Sequence, residues 1–249
     1  MDFPFELPTL LIAMAIVTAA YVIFGITAFG AALFTVPALA HLYSLDFVLP
    51  VSVLLDVSAS LVLGARFSRD ADRTELTWMA PASLIGAVLG VTLLVSLPRE
   101  ATLTGLGTFL LAYGVYSFRQ RVGGARVSRS WAPVAGLVGG TMGTLFGVGA
   151  PPYAIYLTRR IDDKAVLRAT LSNMVLLSTS SRALVFLVGG LMLADRLFMY
   201  VLLLPFALLG LWIGNRIHRR ISREHAMRFI SVLLMLIGLS LLVRVLAGP

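Results

Sequence analysis

Glycine and proline interrupt two apolar stretches of this chain in nearly the same way. Residues 24–37 read FGITAFGAALFTVP and residues 142–155 read MGTLFGVGAPPYAI, with Phe29-Gly30 and Phe146-Gly147 117 positions apart. A helix that breaks inside a bilayer frees backbone N–H and C=O groups that lipid cannot satisfy, so such breaks survive only where protein encloses them or they line a cavity. A duplicated break is a sequence pointer to a transport site. The chemistry follows from the helix that restarts after each break. Its first N–H groups are unpaired and carry a partial positive charge. Two such starts, converging on a central cavity, suit the oxygens of a small anion without any lysine. Phe29, Gly30, Ala31, Phe146, Gly147, Gly149 and Pro151 are therefore expected to bind substrate. Gly30, Gly147 and Gly149 allow close backbone approach. Pro37, Pro151 and Pro152 suit the first turn of each returning half. The competing reading is helix packing through small residues.

Few charged side chains lie deep inside the apolar runs. Asp56 has Ser52 and Ser60 four residues to either side, on one helix face. Its counterpart at the 117-residue offset is Asn173, expected among the binding residues. An ionisable residue at the bilayer centre is expensive and functional by default. Asp56 is expected to couple transport as a proton carrier, a protonated donor or a cation holder; the alternative is a hydrogen-bond clamp. Arg182 is the one basic residue inside a span, with Ser178 one turn before it. It is expected to bind the anion, bidentately where oxygens are presented; the alternative is snorkelling to the outer interface. Arg168 reads as an interface anchor. Arg99-Glu100 and Arg223-Glu224 open helices, where a Glu complements the dipole. Trp78, Trp131 and Trp212 read as interface anchors or packing residues.

The elements that must position these residues are membrane helices. The chain has 249 residues, 59% hydrophobic and only 13% charged, against about 25% charged in a soluble domain. The first residues, MDFPFELP, lack the basic character of a signal peptide, so the first apolar segment is expected to be retained. The net charge of +8 sits in short loops between apolar runs, the positive-inside pattern of a membrane protein and not a nucleic-acid footprint. Absence of Cys excludes disulfides and thiolate metal sites, and the three His show no ligand spacing. No metal or cofactor is expected. No zinc motif and no acid or His pair inside the spans supports an intramembrane enzyme, and no nucleotide motif is present.

Apolar runs cover 8–40, 47–65, 76–97, 101–118, 132–158, 165–188, 197–215 and 226–247. A crossing helix takes about 20 residues. The runs at 8–40 and 132–158 carry the breaks. The later parts of the two halves also align: Pro81, Gly86, Gly90 and Gly114 match Pro205, Gly210, Gly214 and Gly238 at an offset of 124. Basic residues concentrate in four regions, three at 66–73, four at 119–129, four at 159–168 and five at 216–228. If all four are cytoplasmic, the chain must enter and leave 132–158 on the same side, so this run is a helical hairpin turning near its glycines. The same shape is expected for 8–40. The expectation is an all-α polytopic membrane protein with two inverted-topology repeats, each with three spanning helices and one broken, re-entrant hairpin. Repeat 1 covers 1–120, a cytoplasmic linker 121–131 and repeat 2 132–249, with both termini outside.

The second break, GTMGTLFGVGAPPYAIYLTRR at 140–160, followed by RAT at 168–170, resembles the signature of the TauE/SafE family of membrane anion exporters. Members typically carry a Gly-Leu-Phe-Gly-Val-Gly-Gly-Pro-Pro-like stretch there. FGITAFGAALFTVPAL resembles the family's N-terminal Gly-x-Gly-Gly-Gly…Val-Pro element. Ala150, Ala31 and Ala32 stand where that pattern has glycines. The resemblance implies export of sulfite, sulfoacetate or a related organosulfonate. With the residues above, it points to a secondary transporter of a small anion working by alternating access in a bacterial inner membrane. A passive anion channel and a non-transporting assembly subunit are the alternatives. The expected partners are the anion and the lipid bilayer, with a homodimer admitted and nucleic acid excluded.

Overall fold

The computed structural model describes residues 6–27, 31–62, 70–119, 126–217 and 223–247, and no side chain is described at 27, 119, 223–230 and 247. Among the described residues the secondary structure is helical throughout: α1 (Leu7–Thr27), α2 (Ala31–Leu39), α3 (Leu45–Val62), α4 (Arg73–Ser96), α5 (Arg99–Arg119), a 3-10 turn (Arg129–Trp131), α6 (Ala132–Phe146), α7 (Ala150–Thr158), α8 (Lys164–Val188), α9 (Ala194–Ile217) and α10 (Arg223–Ala247). The chain is an all-α polytopic membrane protein. Six helices, α1, α3, α4, α5, α8 and α9, are long and apolar enough to cross a bilayer. In α10, side chains are described from Ser231 onward, and Ser231–Leu246 is apolar.

The two interrupted runs each form a long helix followed by a short one. α2 and α7 have nine residues each, about 14 Å, less than half of the hydrocarbon thickness of about 30 Å. The long arms are unequal: α1 has 21 residues and α6 has 15, about 31 and 22 Å. α1 is therefore long enough to cross by itself. Pro151 and Pro152 stand in the first turn of α7, as expected, but Pro37 is seventh of the nine residues of α2. It sits inside the returning helix and does not start it.

Local chemistry explains the helix ends. The Asp72 carboxylate accepts from the amides of Thr74 (2.9 Å) and Glu75 (3.2 Å) and starts α4. Asp163 does the same for α8 through Ala165 (2.8 Å) and Val166 (3.0 Å). α8 ends at Val188 and is closed by Gly190, whose φ of 70° puts it in the left-handed region, with the Leu191 amide closing onto Phe186 O at 2.9 Å. The faces are distributed as lipid demands. α4 buries Ser83, Gly86 and Gly90 and exposes Leu84, Ile85, Val88 and Leu89, so small and polar groups mediate packing while bulky apolar ones face outward. Trp78, Trp131 and Trp212 are all exposed, and the Arg216 guanidinium lies 4.8 Å over the Trp212 ring.

The chain divides into two compact units that interleave along the sequence: residues 1–55, 99–119 and 193–249, and residues 56–98 and 120–192. In the second unit α4 packs along α6. A Cβ on Gly86 would run into Leu137 O, and one on Gly90 would stand 2.8 Å from Thr141 O. Met79, Ala132, Tyr153, Tyr156, Leu157 and Met174 form its buried apolar core.

In the first unit α9 packs along α1, where Gly210 and Gly214 meet the carbonyls of Thr18 and Val22. The matched glycines of α4 and α9 therefore do matched work, each pair letting its helix lie against the long arm of a broken run. α5 packs on α10 with Gly107 beside Gly238 O (3.0 Å to an added Cβ) and Gly114 beside Ser231 O (3.0 Å), an antiparallel pairing. Arg196, 7% exposed, donates to Asp46 at 3.1 Å. Arg244 Nη1 donates to the carbonyls of Ala40 (3.2 Å) and His41 (2.9 Å), closing the end of α2. Burial, then the nearby Arg244 charge, holds the His41 imidazole below its ordinary pKa.

Candidate functional site

The break between α6 and α7 is built on one glycine. Gly147 has φ 77°, a conformation that costs a side-chain-bearing residue about 1–2 kcal/mol. Its amide closes α6 onto Gly143 O at 2.9 Å, and the Val148 amide reaches Met142 O at 3.2 Å. The chain then runs back along α6. A Cβ on Gly149 would lie 2.8 Å from Gly139 O and 3.2 Å from Gly143 Cα, and the Tyr153 ring covers Gly139. With Gly147 and Val148 amides used and no N–H on Pro151 or Pro152, the amides of Gly149 and Ala150 head α7. Ala150 and Ala31 each occupy the first position of a short helix, where alanine is a good helix former. A methyl group is accommodated at both positions.

Arg182 lies over this turn. It is 4% exposed, so its head does not snorkel into water. A Cβ on Gly143 would stand 3.2 Å from Arg182 Cδ and 3.3 Å from Gly149 Cα, which places the arginine stem against the hairpin bend. The Tyr153 phenol bridges Ser83 Oγ (2.7 Å) and Ser178 Oγ (2.9 Å). A cation, two helix-head amides and a chain of hydroxyls are therefore gathered around one broken helix. In a low-dielectric setting, such donors can replace the water shell of an anion's oxygens.

The far end of the same hairpin is tied down. Glu75, 1% exposed, accepts from Arg129 Nε at 3.1 Å and Arg160 Nε at 3.0 Å, both on Oε1, and from the Tyr156 hydroxyl at 2.6 Å on Oε2. The Glu75 hydrogen bond raises the Arg160 pKa above its ordinary value. The Val127 amide donates to Arg159 O at 3.3 Å across the two ends of the run.

The other expected residues are placed as follows. Phe146 is buried beside the turn and Pro151 is buried in the first turn of α7. Asn173 is 4% exposed, but it lies nine residues from Arg182, about two and a half turns, and leaves α8 on the opposite side. Ala31 is buried at the head of α2, whereas Phe29 and Gly30 lie outside the described residues. Asp56 is half-buried on α3, one turn after Ser52. Ser52 Oγ and Thr35 Oγ1 are each buried with no hydrogen-bond partner among the described residues.

Sequence reading missed Tyr153, Ser83, Thr35 and Glu75. Tyr153 carried a signal, a phenol in an apolar run directly after the two prolines. Glu75 carried none, since an acid in a first helical turn reads as a dipole partner.

A family model described as sulfite exporter TauE/SafE matches residues 12–241. The chain is 30% identical over 192 residues to the "Probable inner membrane transporter protein TsaS" of Comamonas testosteroni, a match covering 76% of this chain and 80% of that protein. No solved structure matches.

Proposed function

The chain belongs to the sulfite exporter TauE/SafE family and is a membrane transporter; on that premise we propose that it exports a small sulfur oxyanion or organosulfonate, such as sulfite or sulfoacetate, by alternating access. The observation that carries this reading is the buried Arg182 set against the α6–α7 turn, beside the Gly149 and Ala150 amides. A guanidinium and a helix head are both complementary to the negative charge of an oxyanion. Sulfite and sulfonate groups present several oxygens to such donors at once.

Antiparallel pairing of α5 and α10 supports inverted repeats. At the 124-residue offset Gly107 corresponds to Ser231 and Gly114 to Gly238. The Gly107–Gly238 and Gly114–Ser231 contacts are then one contact made twice, with the helices exchanged. Equivalent helices running in opposite directions are what inverted topology requires. The TsaS relative is named as an inner membrane protein. The same location is proposed for this chain, with the basic end around Glu75 in the cytoplasm and both termini outside. Asp56 is the proposed coupling residue, with Ser52 one turn away.

Reconstitution tests the proposal. Proteoliposomes loaded with sulfite, sulfoacetate or sulfate should release at least one of them faster than protein-free vesicles, and Arg182→Gln should abolish the difference. No accelerated release of any sulfur oxyanion would overturn it.

A further inference from the structure

Ser83, Tyr153 and Ser178 come from three helices, α4, α7 and α8, and are 2%, 0% and 4% exposed. Their hydroxyls form a chain, Ser83 to Tyr153 at 2.7 Å and Tyr153 to Ser178 at 2.9 Å. None of the three hydroxyls makes another hydrogen bond among the described residues. Each has one proton to donate. Three protons serve two bonds, so one O–H is always left over: on Tyr153 when both serines donate to it, and on the accepting serine when Tyr153 accepts from one serine and donates to the other.

A buried donor without an acceptor is costly, and native proteins place an acceptor there. The two ends differ. Ser83 sits where α4 crosses α6, its backbone against Gly140. Ser178 sits one turn before Arg182 on the same face of α8, beside the hairpin bend. An anion held there selects one polarity: Ser83 donates to Tyr153, Tyr153 to Ser178, and Ser178 outward. Each bond polarises the next, so the last donor is strengthened.

We propose that Ser178, oriented through Tyr153 by Ser83, forms with Arg182 a subsite for an oxyanion oxygen that acts only as an acceptor, as in sulfite or a sulfonate. Ser178 touches the anion; Tyr153 and Ser83 are positioning residues. The subsite rests on the transport reading above and adds the residues that select the oxygen. It favours deprotonated oxygens over hydroxyl or amine groups at this point, because the Arg182 cation beside Ser178 favours negative charge.

Calorimetric titration of the full chain in nanodiscs with sulfite and with methanesulfonate tests the inference. Ser178→Ala should weaken binding about 10- to 100-fold, the scale of a hydrogen bond to a charged acceptor. Tyr153→Phe should weaken it by about 3- to 10-fold and Ser83→Ala by less, since each acts through the next. Ser178→Thr keeps the hydroxyl and should restore affinity. A purely structural chain gives another pattern: Tyr153→Phe, losing both bonds, lowers Tm most and leaves affinity unchanged. That pattern overturns the subsite. So does binding that Arg182→Gln abolishes and Ser178→Ala leaves intact, an outcome that spares the transport reading. Failure of the unaltered protein to bind either probe overturns both.

Discussion

Arg129 and Arg160 stand on the two sides of the α6–α7 hairpin, yet both guanidiniums donate to the same oxygen, Oε1 of Glu75, at 3.1 and 3.0 Å. One carboxylate at the start of α4 therefore holds both ends of the broken run. The geometry explains why the run must turn back: its two ends share a single anchor.

Removing that anchor's charge should loosen the hairpin. Glu75→Gln keeps the shape and a partner for Tyr156 but leaves two cations together, the costly way to break a buried pair. A Tm lower by roughly 5 °C is expected in thermal unfolding of the detergent-solubilised protein. Arg160→Gln should cost less, because Arg129 remains. An unchanged Tm in Glu75→Gln would show that the clamp contributes nothing to stability.

Two glycines separate strain from crowding. Gly190 has φ 70° and nothing within 4 Å of an added Cβ, so Gly190→Ala should cost only backbone strain, about 1–2 kcal/mol. Gly139 is covered by the Tyr153 ring. Gly139→Ala should cost about 1–3 kcal/mol through overpacking alone, and it should lower transport because Tyr153 must move. Equal stability and equal transport in the two variants would contradict this assignment.

Acid should weaken the closure at the end of α2. The folded protein holds His41 below its ordinary value of 6.5, through burial first and Arg244 second. A lowered folded pKa means that the neutral imidazole is favoured on folding. The contribution is whole above pH 6.5 and is lost as pH falls from there through the folded value. Tm of the unaltered protein should therefore drop from about pH 7.5 to about pH 5 more steeply than that of His41→Gln. Parallel curves would remove His41 from the pH response.

Asp56→Asn tests coupling. If Asp56 carries the proton, the variant should still bind anion, but its transport should no longer respond to a pH gradient across proteoliposomes. Full retention of gradient dependence would assign the proton to another group.

The sequence by itself determined what is local. Apolar runs of about 20 residues define the helices, because a bilayer imposes that length on any segment that crosses it. Gly147 with Pro151 and Pro152 marks the break, because backbone conformation and a missing N–H are properties of single residues. Even the hairpin's return was legible, from basic residues on both sides of 132–158, since charge must stay in water. Pro37 shows the limit of such rules: the residue type fits a first turn, and the chain places it seventh in α2. Packing alone decided the rest. Tyr153 meets Ser83, 70 positions away, and Ser178, 25 away; Glu75 reaches Arg129 and Arg160 across 54 and 85. Those distances reflect which helix faces lie together, and α4 from the first half lies on α6 from the second because glycines on both let their backbones touch. Hydrogen bonds act over about 3 Å in space. Spacing along the chain holds no record of that approach until the helices have packed.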